Sequence, residues 1–361
     1  MSLKERINHG IFLSSYIMTV YSLNIVMFPF ILLKKLGINT NSWISMIYSD
    51  KQYMTSFLIC KFLRTKTFFY FKKNIKKEDL FNNNPSRSIT ITNHLSEIDA
   101  IFIAMFLDEF LIFPAKTLTF AKEQLRYVPL IGWLLLNVGT IFVKNKNKTQ
   151  NKQQHVYIEK KIKEEAEYSK NYNFNIFMEG TTFRQDIHEY RNQLDKRENG
   201  KIPEFKNIMV PRTEGLWLLE TTINVDYEYF LGIKYILPSN MKDNEQGATQ
   251  MLKGKYPSEV HIFVDKKPGK ILDSCENREE FNNNVINEFK KIDDIIGDYN
   301  EWKNKYQSFE VNKSIFSWKM LRSLIVNGLA ISLPFISLKF YGIYMLSLVS
   351  FNWFLGYIEF S

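Results

Sequence analysis

Cysteine and histidine are scarce in this sequence. Its 361 residues include only 2 cysteines and 5 histidines. Cys60 and Cys275 lie far apart and have no C-x-x-C partner, so we expect reduced thiols in the core and no disulfide framework. Three of the histidines show no metal-ligand spacing among themselves, namely His155, His188 and His261. No metal site is therefore predicted.

The charge balance is basic, with 47 Lys and Arg against 38 Asp and Glu. A net charge of +9 indicates an anionic partner, which is either nucleic acid or a lipid surface. The apolar share of 45% is ordinary, and the mean hydropathy of −0.22 by itself disfavours a membrane protein. The length allows either one large domain with additions or two smaller domains.

The average hydropathy hides an uncharged run near the N-terminus. Residues 10–33 carry no charged side chain, and a bilayer-spanning helix needs about 20 apolar residues. Basic residues flank the run on both sides, so the positive-inside rule gives no orientation. Asn24 and Pro29 leave room for a break. A full span and a hairpin within one leaflet therefore both fit.

A second uncharged region occupies the C-terminal part of the sequence. Residues 323–338 and 340–358 lack charge, and Lys339 separates them. Because their aromatic side chains are spread around the helix rather than confined to one stripe, we expect two hydrophobic membrane helices or a re-entrant pair. A buried core helix is the alternative.

The middle of the chain is polar and alternates short apolar runs with helical patterns. Strand-like runs occur at 88–92, 139–143, 174–178, 223–229 and 259–264, and helical patterns at 155–170 and 278–306. This alternation predicts an α/β fold with a mixed sheet flanked by helices. We therefore predict three parts of the chain: an N-terminal membrane anchor or hairpin with an amphipathic lead-in at 1–74, a globular domain at 75–310, and hydrophobic membrane helices at 311–361.

Three surrounding segments have simpler interpretations. The Asn- and Lys-rich stretches 82–84 and 144–152 are predicted to be loops. Contact of the second stretch with anionic headgroups or CoA phosphates is its functional alternative. The uncharged run 127–143 is interpreted as a helix and a strand of the core. A surface that enters the lipid and admits the acyl chain is the alternative.

His94 has a context that suits a general base, ITNHLSEIDAIF. A strand ends at Thr92, and Asp99 opens the apolar run that follows. A neutral imidazole can take a proton from a hydroxyl, and a carboxylate fixes its tautomer and stabilises the imidazolium. Five residues on a regular helix would set the side chains about 140° apart, so the pair can meet only if His94 lies in the turn before the helix. A helix N-cap cluster around Asn93 or Ser96 is the alternative.

Two further segments end apolar runs in turns with polar residues. NIFMEGTTFR is predicted as a strand that ends at Glu179 and Gly180, and IMVPRTEGLWLL as a strand, a turn with Pro211 and Arg212, and an apolar helix. Gly180 permits a tight turn whose N–H groups can hold an anion. Since α/β proteins place their sites where strands end, we expect these turns and His94 to converge at one edge of the sheet. An ordinary strand-end salt bridge is the alternative for Glu179.

Four segments of the sequence resemble the four blocks of the glycerolipid acyltransferase family, the lysophosphatidic acid acyltransferases. In their order along the chain they are NHLSEID, VPLIGWLLLNVGTIFVKN, FMEGT and VPRTEG. The resemblance spans about residues 85–220. It is closest to the eukaryotic branch that also includes lysocardiolipin acyltransferases. VHIFVDK and FKKIDDIIGDY resemble a later strand and helix of that branch.

The resemblance implies acyl transfer from acyl-CoA to a lysophospholipid at a membrane surface. His94, oriented by Asp99, would deprotonate the acceptor hydroxyl, which attacks the thioester and releases CoA thiolate. No acyl-enzyme is needed, and the chain has no G-x-S-x-G nucleophile elbow. Acyl-CoA is implied as a co-substrate without a further cofactor. Acyl-CoA, a lysophospholipid and the lipid bilayer are the implied partners, nucleic acid is not, and the endoplasmic reticulum membrane is the implied location.

The resemblance also implies a set of substrate contacts. They are Asn93, Glu179, Gly180, Thr181, Arg184, Lys144, Pro211 and Arg212. The E-G-T block would bind the glycerol phosphate, and the proline-centred block the acyl donor or the acceptor.

Two arginines of the family pattern are missing. Thr182 follows the E-G-T block, and Asn145 stands in the second block. A bidentate guanidinium is not equivalent to an ammonium, so acyl transfer is indicated more strongly than any one acceptor. Lysophosphatidic acid is the first expectation, and lysophosphatidylinositol and lysocardiolipin stay open. A non-catalytic lipid-binding protein on the same fold is the second function class, and a nucleic-acid binder is a weaker third.

Overall fold

The computed structural model describes residues 3–73, 87–110, 116–144, 148–167, 171–198, 202–239, 241, 247–313 and 317–336. The strands are β1 Lys66–Lys72, β2 Ser88–Thr92, β3 Lys116–Lys122, β4 Ile141–Val143, β5 Tyr172–Phe177, β6 Tyr227–Ile236, β7 Glu259–Pro268 and β8 Tyr306–Glu310. The helices are α1 Leu3–Lys35, α2 Asn41–Leu58, α3 Asp99–Phe110, α4 Ile131–Asn137, α5 Lys148–Glu167, α6 Gln185–Glu198, α7 Glu214–Thr222, α8 Ala248–Leu252, α9 Arg278–Gly297, α10 Tyr299–Lys305 and α11 Trp318–Ile336. A π-helical turn at Ile59–Leu63 and 3₁₀ turns at Glu123–Tyr127 and Ile271–Ser274 complete the described elements.

The strands form one mixed sheet in the order β4-β3-β5-β2-β6-β7-β1-β8. The five strands from β4 to β6 run parallel to one another, and β7 pairs antiparallel with β6. The α/β class with a mixed sheet is therefore confirmed. The carboxyl ends of β2, β3 and β5 lie at one edge of the sheet, which we call the catalytic edge.

Helices cover both faces of the sheet, as the apolar strands require. One apolar core lies between the sheet and helices α1, α2 and α3. The other lies between the sheet and helices α5, α7 and α9. In α9 the predicted three- and four-residue spacing is confirmed, because Phe281, Val285, Phe289, Ile292 and Ile296 are all buried. The pattern predicted at 278–306 is nevertheless two helices, since α9 ends at Gly297 and α10 follows.

Two predicted strands differ from the structure. The run 223–229 was expected to be a strand, but β6 begins only at Tyr227, and the preceding Asp226 forms an ion pair with Arg87 at 2.6 Å. Strand β6 then extends to Ile236, beyond its pairing with β2 at Leu231. The apolar start of the proline-centred segment, residues 208–210, is a loop and not a strand.

That loop is held by a buried carboxylate instead of a strand ladder. Asp293 of α9 is fully buried and accepts backbone N–H bonds from Lys206, Asn207 and Ile208 at 2.6–3.1 Å. Several N–H donors on one carboxylate satisfy the backbone groups that a strand neighbour would otherwise satisfy.

The N-terminal apolar run forms one continuous helix. Helix α1 passes through Asn24 and Pro29 without the break that these residues allowed. Among the described residues α1 alone is long and apolar enough to cross a membrane, and half of its most apolar window is buried in the protein. A core helix would meet the same criterion of length and composition. Helix α11 covers most of the run 323–338, and residues 340–358 lie outside the described part of the chain.

The sheet also includes a strand from before residue 75. Strand β1 pairs with β7 and β8, so part of the predicted N-terminal lead-in belongs to the sheet. The Asn-rich stretch 82–84 lies outside the described residues. The predicted loop 144–152 is partly helical, because α5 begins at Lys148.

A buried pair of carboxyl groups predicts a specific pH dependence of stability. Glu220 of α7 and Glu228 of β6 are at most 1% exposed, and they interact through their charges. Burial, followed by the charge of its neighbour, raises the pKa of Glu228 above its ordinary value, and burial also raises the pKa of Glu220. A raised carboxyl pKa in the folded state means that the pair stabilises the fold at low pH. This stability is lost as pH rises from the unfolded pKa towards the folded one.

We therefore expect Glu228→Gln to raise the Tm at pH 8, and to raise it less at pH 5, because the amide carries no charge. Thermal unfolding at the two pH values measures this difference. Glu288→Gln is the matched control, since Glu288 forms ion pairs with Lys267 and Lys291 and its loss should lower the Tm at pH 8. A Tm of Glu228→Gln that falls more at pH 8 than at pH 5 would contradict the prediction.

Candidate active site

His94 and Asp99 meet at the catalytic edge. His94 lies in the turn between β2 and α3, and Asp99 is the first residue of α3. The His94 Nδ1 atom lies 2.9 Å from the Asp99 Oδ2 atom. The prediction that the pair requires a turn is confirmed. The Nε2 atom of His94 makes no hydrogen bond with the residues that the structure describes, and 17% of the side chain is exposed.

The Asp99 carboxylate is fully buried and has three donors. The His94 ring and the backbone N–H of Ser96, at 2.9 Å, both bond to Oδ2. The Tyr235 hydroxyl donates to Oδ1. A position at the N-terminus of a helix further stabilises the negative charge. The carboxylate is therefore fixed by its own partners and can hold one orientation of the imidazole.

Asn93 connects the histidine turn to β6. Its amide nitrogen donates to the Ile233 carbonyl at 3.1 Å, and its amide oxygen accepts the Ile233 N–H at 2.7 Å. The side chain is fully buried. Asn93 was predicted as a substrate contact, but the structure uses its amide on the backbone where β6 runs past the end of β2. This link brings Tyr235, two residues further along β6, to Asp99.

The imidazole is also fixed by the neighbouring strand. The His94 ring stacks on Phe177, the last residue of β5, with ring centroids 4.0 Å apart. The His94 carbonyl accepts the N–H of Phe183 at 2.6 Å. The histidine turn is thus packed directly against the E-G-T segment.

Glu179 is a buried carboxyl group beneath the site. Burial raises its pKa well above the ordinary carboxyl range, and the charge of Asp99 raises it further, while backbone N–H groups of His94 and Met209 oppose the shift. Burial therefore favours the neutral form of this carboxyl group. A neutral carboxyl group does not repel an anionic substrate, whereas an ionised one would. Arg191 Nη1 donates to two backbone carbonyls, that of Glu179 at 3.0 Å and that of Val210 at 3.3 Å.

The proline-centred segment reaches the site through backbone contacts. The Arg212 N–H donates to the Met178 carbonyl at 2.7 Å, and buried Pro211 precedes it. Gly180 has φ +66°, and a Cβ there would lie 3.3 Å from the Arg212 side chain and 3.5 Å from its Nη1. Glycine thus permits both the turn and the approach of the guanidinium.

A second cation flanks the same turn from β3. Lys122, the last residue of β3, places its Nζ 3.3 Å from the Thr181 hydroxyl. Lys122 and Arg212 are both exposed and stand around Gly180 and Thr181. We call these four residues the cationic turn.

Two predicted substrate residues have partners of their own. Lys144 forms an ion pair with Glu123 at 3.2 Å beyond the end of β4. Arg184 is exposed and forms a bidentate pair with Asp186 at 2.6 and 3.1 Å. The structure thus brings together the histidine pair, Glu179 and the cationic turn, and it directs the Arg184 guanidinium to the start of α6.

Sequence reasoning missed three residues of the site: Lys122, Arg191 and Tyr235. A signal exists only for Lys122, which ends a strand-like run of alternating residues, KTLTFAK. The other two residues lie on α6 and β6, and only the packing of the fold brings them to Glu179 and Asp99.

Comparison with known proteins agrees with this geometry. The family model described as Acyltransferase matches residues 61–214. The mouse protein named 1-acyl-sn-glycerol-3-phosphate acyltransferase delta is 32% identical over 128 residues, which is 36% of this chain and 32% of that protein. The human protein of the same name is 30% identical over 182 residues, or 48% of this chain and 44% of that protein.

The bovine protein of that name is 27% identical over 128 residues, or 36% of this chain and 32% of that protein. The chain thus spans less than half the length of the curated relatives that it matches. The family match includes His94, Asp99, Lys122, the E-G-T segment and Arg212. Residues 61–214 are therefore similar to the Acyltransferase family, and the curated relatives of this chain are glycerolipid acyltransferases by name.

Proposed function

We propose that this protein transfers a fatty acyl group from acyl-CoA to the free hydroxyl of a lysophospholipid. The observation that carries the proposal is the pair formed by His94 and the buried Asp99, with Nε2 of the imidazole left open at the catalytic edge. A lipid-binding protein without catalysis would not need a base with its own orienting carboxylate.

In the proposed reaction, Nε2 of His94 takes the proton from the acceptor hydroxyl. The Asp99 carboxylate keeps the proton of Nδ1 and stabilises the imidazolium. The acceptor oxygen attacks the thioester carbon, the C–S bond breaks, and CoA leaves as the thiolate, which the imidazolium can protonate. Acyl-CoA is then a co-substrate, and the proposal includes no other cofactor.

The cationic turn is proposed to hold the phosphate of the acceptor. Lys122 and Arg212 supply two charges, and Thr181 supplies a hydroxyl, around the tight turn at Gly180. These groups replace the arginines that the family pattern places at Thr182 and Asn145. The curated relatives are named for 1-acyl-sn-glycerol-3-phosphate, which makes lysophosphatidic acid the first acceptor to test.

We expect Lys122→Met and Arg212→Met each to raise the KM for the lysophospholipid about 10- to 100-fold. Each substitution removes a hydrogen bond between two charged groups, the side chain and the phosphate. Such a bond contributes about 1.5–3 kcal/mol, which corresponds to the expected change in KM. The KM for acyl-CoA should change little. Steady-state kinetics with each substrate varied in turn measures both values.

Arg184→Ala is the comparison for this prediction. If Arg184 contacts the acceptor, as the sequence predicts, Arg184→Ala should raise the KM for the lysophospholipid more than the KM for acyl-CoA. If Arg184 is only the surface partner of Asp186, Arg184→Ala should change both KM values much less than Lys122→Met does. A larger effect of Arg184→Ala than of Lys122→Met would contradict the cationic turn.

The acceptor headgroup is tested by product identification. Purified protein is incubated with labelled oleoyl-CoA and a panel of lysophosphatidic acid, lysophosphatidylinositol and lysocardiolipin. We expect labelled phosphatidic acid as the main product. A different labelled lipid would keep the acyl transfer and change the acceptor, and the absence of any labelled phospholipid would contradict the function.

Membrane association is part of the proposal. It is supported by helix α1, whose composition allows insertion, and by the apolar side chains that α11 exposes, among them Trp318, Leu321, Leu324 and Ile325. Both substrates carry acyl chains that partition into lipid. The endoplasmic reticulum membrane stays the predicted location.

A further inference from the structure

Four large apolar side chains are exposed between β3 and the first turn of α4. Within residues 125–131, which we call the apolar loop, the exposed fractions are 41% for Leu125, 70% for Tyr127, 37% for Val128 and 41% for Ile131. Single exposed apolar residues are ordinary, but several together mark an interaction surface. The run 127–143 was interpreted as core, and for this part of it the interpretation is wrong.

The apolar loop has a defined backbone. Leu130 has φ +64°, a conformation that is costly for a residue with a side chain. The Asn24 amide of α1 donates to the Leu130 carbonyl at 3.1 Å. Gly132 is so close to the preceding turn that a Cβ would lie 2.1 Å from the Arg126 carbonyl. The fold therefore holds these apolar side chains outward at a cost in backbone strain.

The apolar loop adjoins α1, the one described helix that is long and apolar enough to cross a membrane. Leu134 and Val138, which follow the loop, are buried in a cluster with residues of α1 and α2. The end of α1 and the residue after it expose further apolar side chains, namely Leu32, Leu33 and Leu36. Basic residues are neighbours in the chain: Lys34, which also pairs with Glu165 at 3.8 Å, and Lys35 end α1, and Lys122 precedes the loop.

The apolar loop is also next to the catalytic edge. It follows β3, whose last residue Lys122 contacts Thr181 of the cationic turn. An apolar surface with basic neighbours suits an anionic bilayer, which provides acyl chains below and phosphates at the interface. A lipid acceptor that leaves the bilayer beside this loop would meet the cationic turn first.

We propose that the apolar loop inserts into an anionic lipid surface and sets the catalytic edge against the membrane. This proposal rests on the proposed function for its substrates, but not for the insertion itself. The occupant of the surface is lipid. Tyr127 has the largest exposed fraction in the loop, and its ring suits the membrane interface, where the ring contacts acyl chains and the hydroxyl can bond to headgroups.

A depth measurement tests the insertion directly. The full chain with Tyr127→Trp is mixed with vesicles of phosphatidylcholine and phosphatidylserine that carry bromine on their acyl chains, and tryptophan quenching is recorded. Val156→Trp is the matched control, because Val156 is 64% exposed on α5. The native tryptophans are common to both variants. We expect quenching of Tyr127→Trp to exceed that of Val156→Trp, and equal quenching would overturn the proposal.

A kinetic comparison separates this proposal from the proposed function. Tyr127→Asp should lower turnover of a long-chain lysophospholipid in vesicles about tenfold, equivalent to about 1.4 kcal/mol. It should leave turnover of a water-soluble short-chain lysophospholipid unchanged, and Val156→Asp should change neither. Equal loss on both substrates would place Tyr127 in the site and overturn the insertion. Self-association that depends on Tyr127, without quenching by brominated lipid, would assign the loop to a protein partner instead.

Discussion

His94→Ala is expected to lower kcat/KM for acyl transfer by about 10²- to 10⁴-fold, which is the usual contribution of a positioned general base. The loss corresponds to about 3–5 kcal/mol of transition-state stabilisation. The acceptor hydroxyl is a weak nucleophile at neutral pH, and Nε2 of His94 is the group at the catalytic edge that is open to take its proton. The measurement is the rate of product formation from labelled acyl-CoA and lysophosphatidic acid.

The matched control is His155→Ala. His155 is a half-exposed histidine on α5 that lies 3.8 Å from Glu214, and its loss should leave turnover unchanged. Membrane association of His94→Ala should match that of the unchanged protein, since the ring contacts Asp99 and Phe177 within the site and not the apolar loop. Full turnover by His94→Ala would contradict the proposed role of His94 as the base, independently of the quenching experiment on the apolar loop.

The position of the base could be predicted because its spacing excluded a helix. A separation of five residues cannot bring His94 and Asp99 together on one helix, and the strand-like run before His94 supplied the turn that the pair needed. The same local reasoning succeeded for α9, where the apolar spacing is regular. Both predictions rest on residues that are close in sequence, so chain geometry alone decides them.

The rest of the site depends on contacts between distant parts of the chain. Tyr235 lies 136 positions after Asp99, and Lys122 lies 59 positions before Thr181. Strand order and register determine both contacts, and neither can be read from a local pattern. Arg184 illustrates the converse, because a cation near the E-G-T block looked like a phosphate contact until its pairing with Asp186 was visible.

Packing also decided the segments that looked apolar. The residues IMV at 208–210 have the composition of a strand, yet Asp293 of α9 satisfies the backbone just before them and at Ile208, so they form a loop. The run 127–143 lacks charge throughout, but its first part faces outward because α4 turns its other side to α1. Composition states that a segment is apolar, and only its neighbours determine whether water, lipid or protein covers it.

Asp99→Asn is expected to lower kcat about 10²- to 10⁴-fold while it preserves the shape of the site. An asparagine oxygen at the Oδ2 position can still accept from His94 Nδ1 and the Ser96 N–H. Its amide nitrogen, at the Oδ1 position, can donate to the Tyr235 hydroxyl. Orientation of the imidazole is therefore kept, and the negative charge that stabilises the imidazolium is lost.

The KM values of Asp99→Asn should change little, because Asp99 is buried and cannot touch either substrate. Its Tm should change little, since a neutral amide replaces a buried charge and keeps one hydrogen bond to each of the three partners, with the direction reversed at Tyr235. Tyr235→Phe is the complementary variant: it keeps the charge, removes one donor and should reduce kcat much less. Equal kcat values for Asp99→Asn and the unchanged protein would reduce Asp99 to a structural residue at the start of α3. A kcat loss shared equally by both variants would instead make the hydrogen bond from Tyr235, rather than the charge, the feature on which catalysis depends.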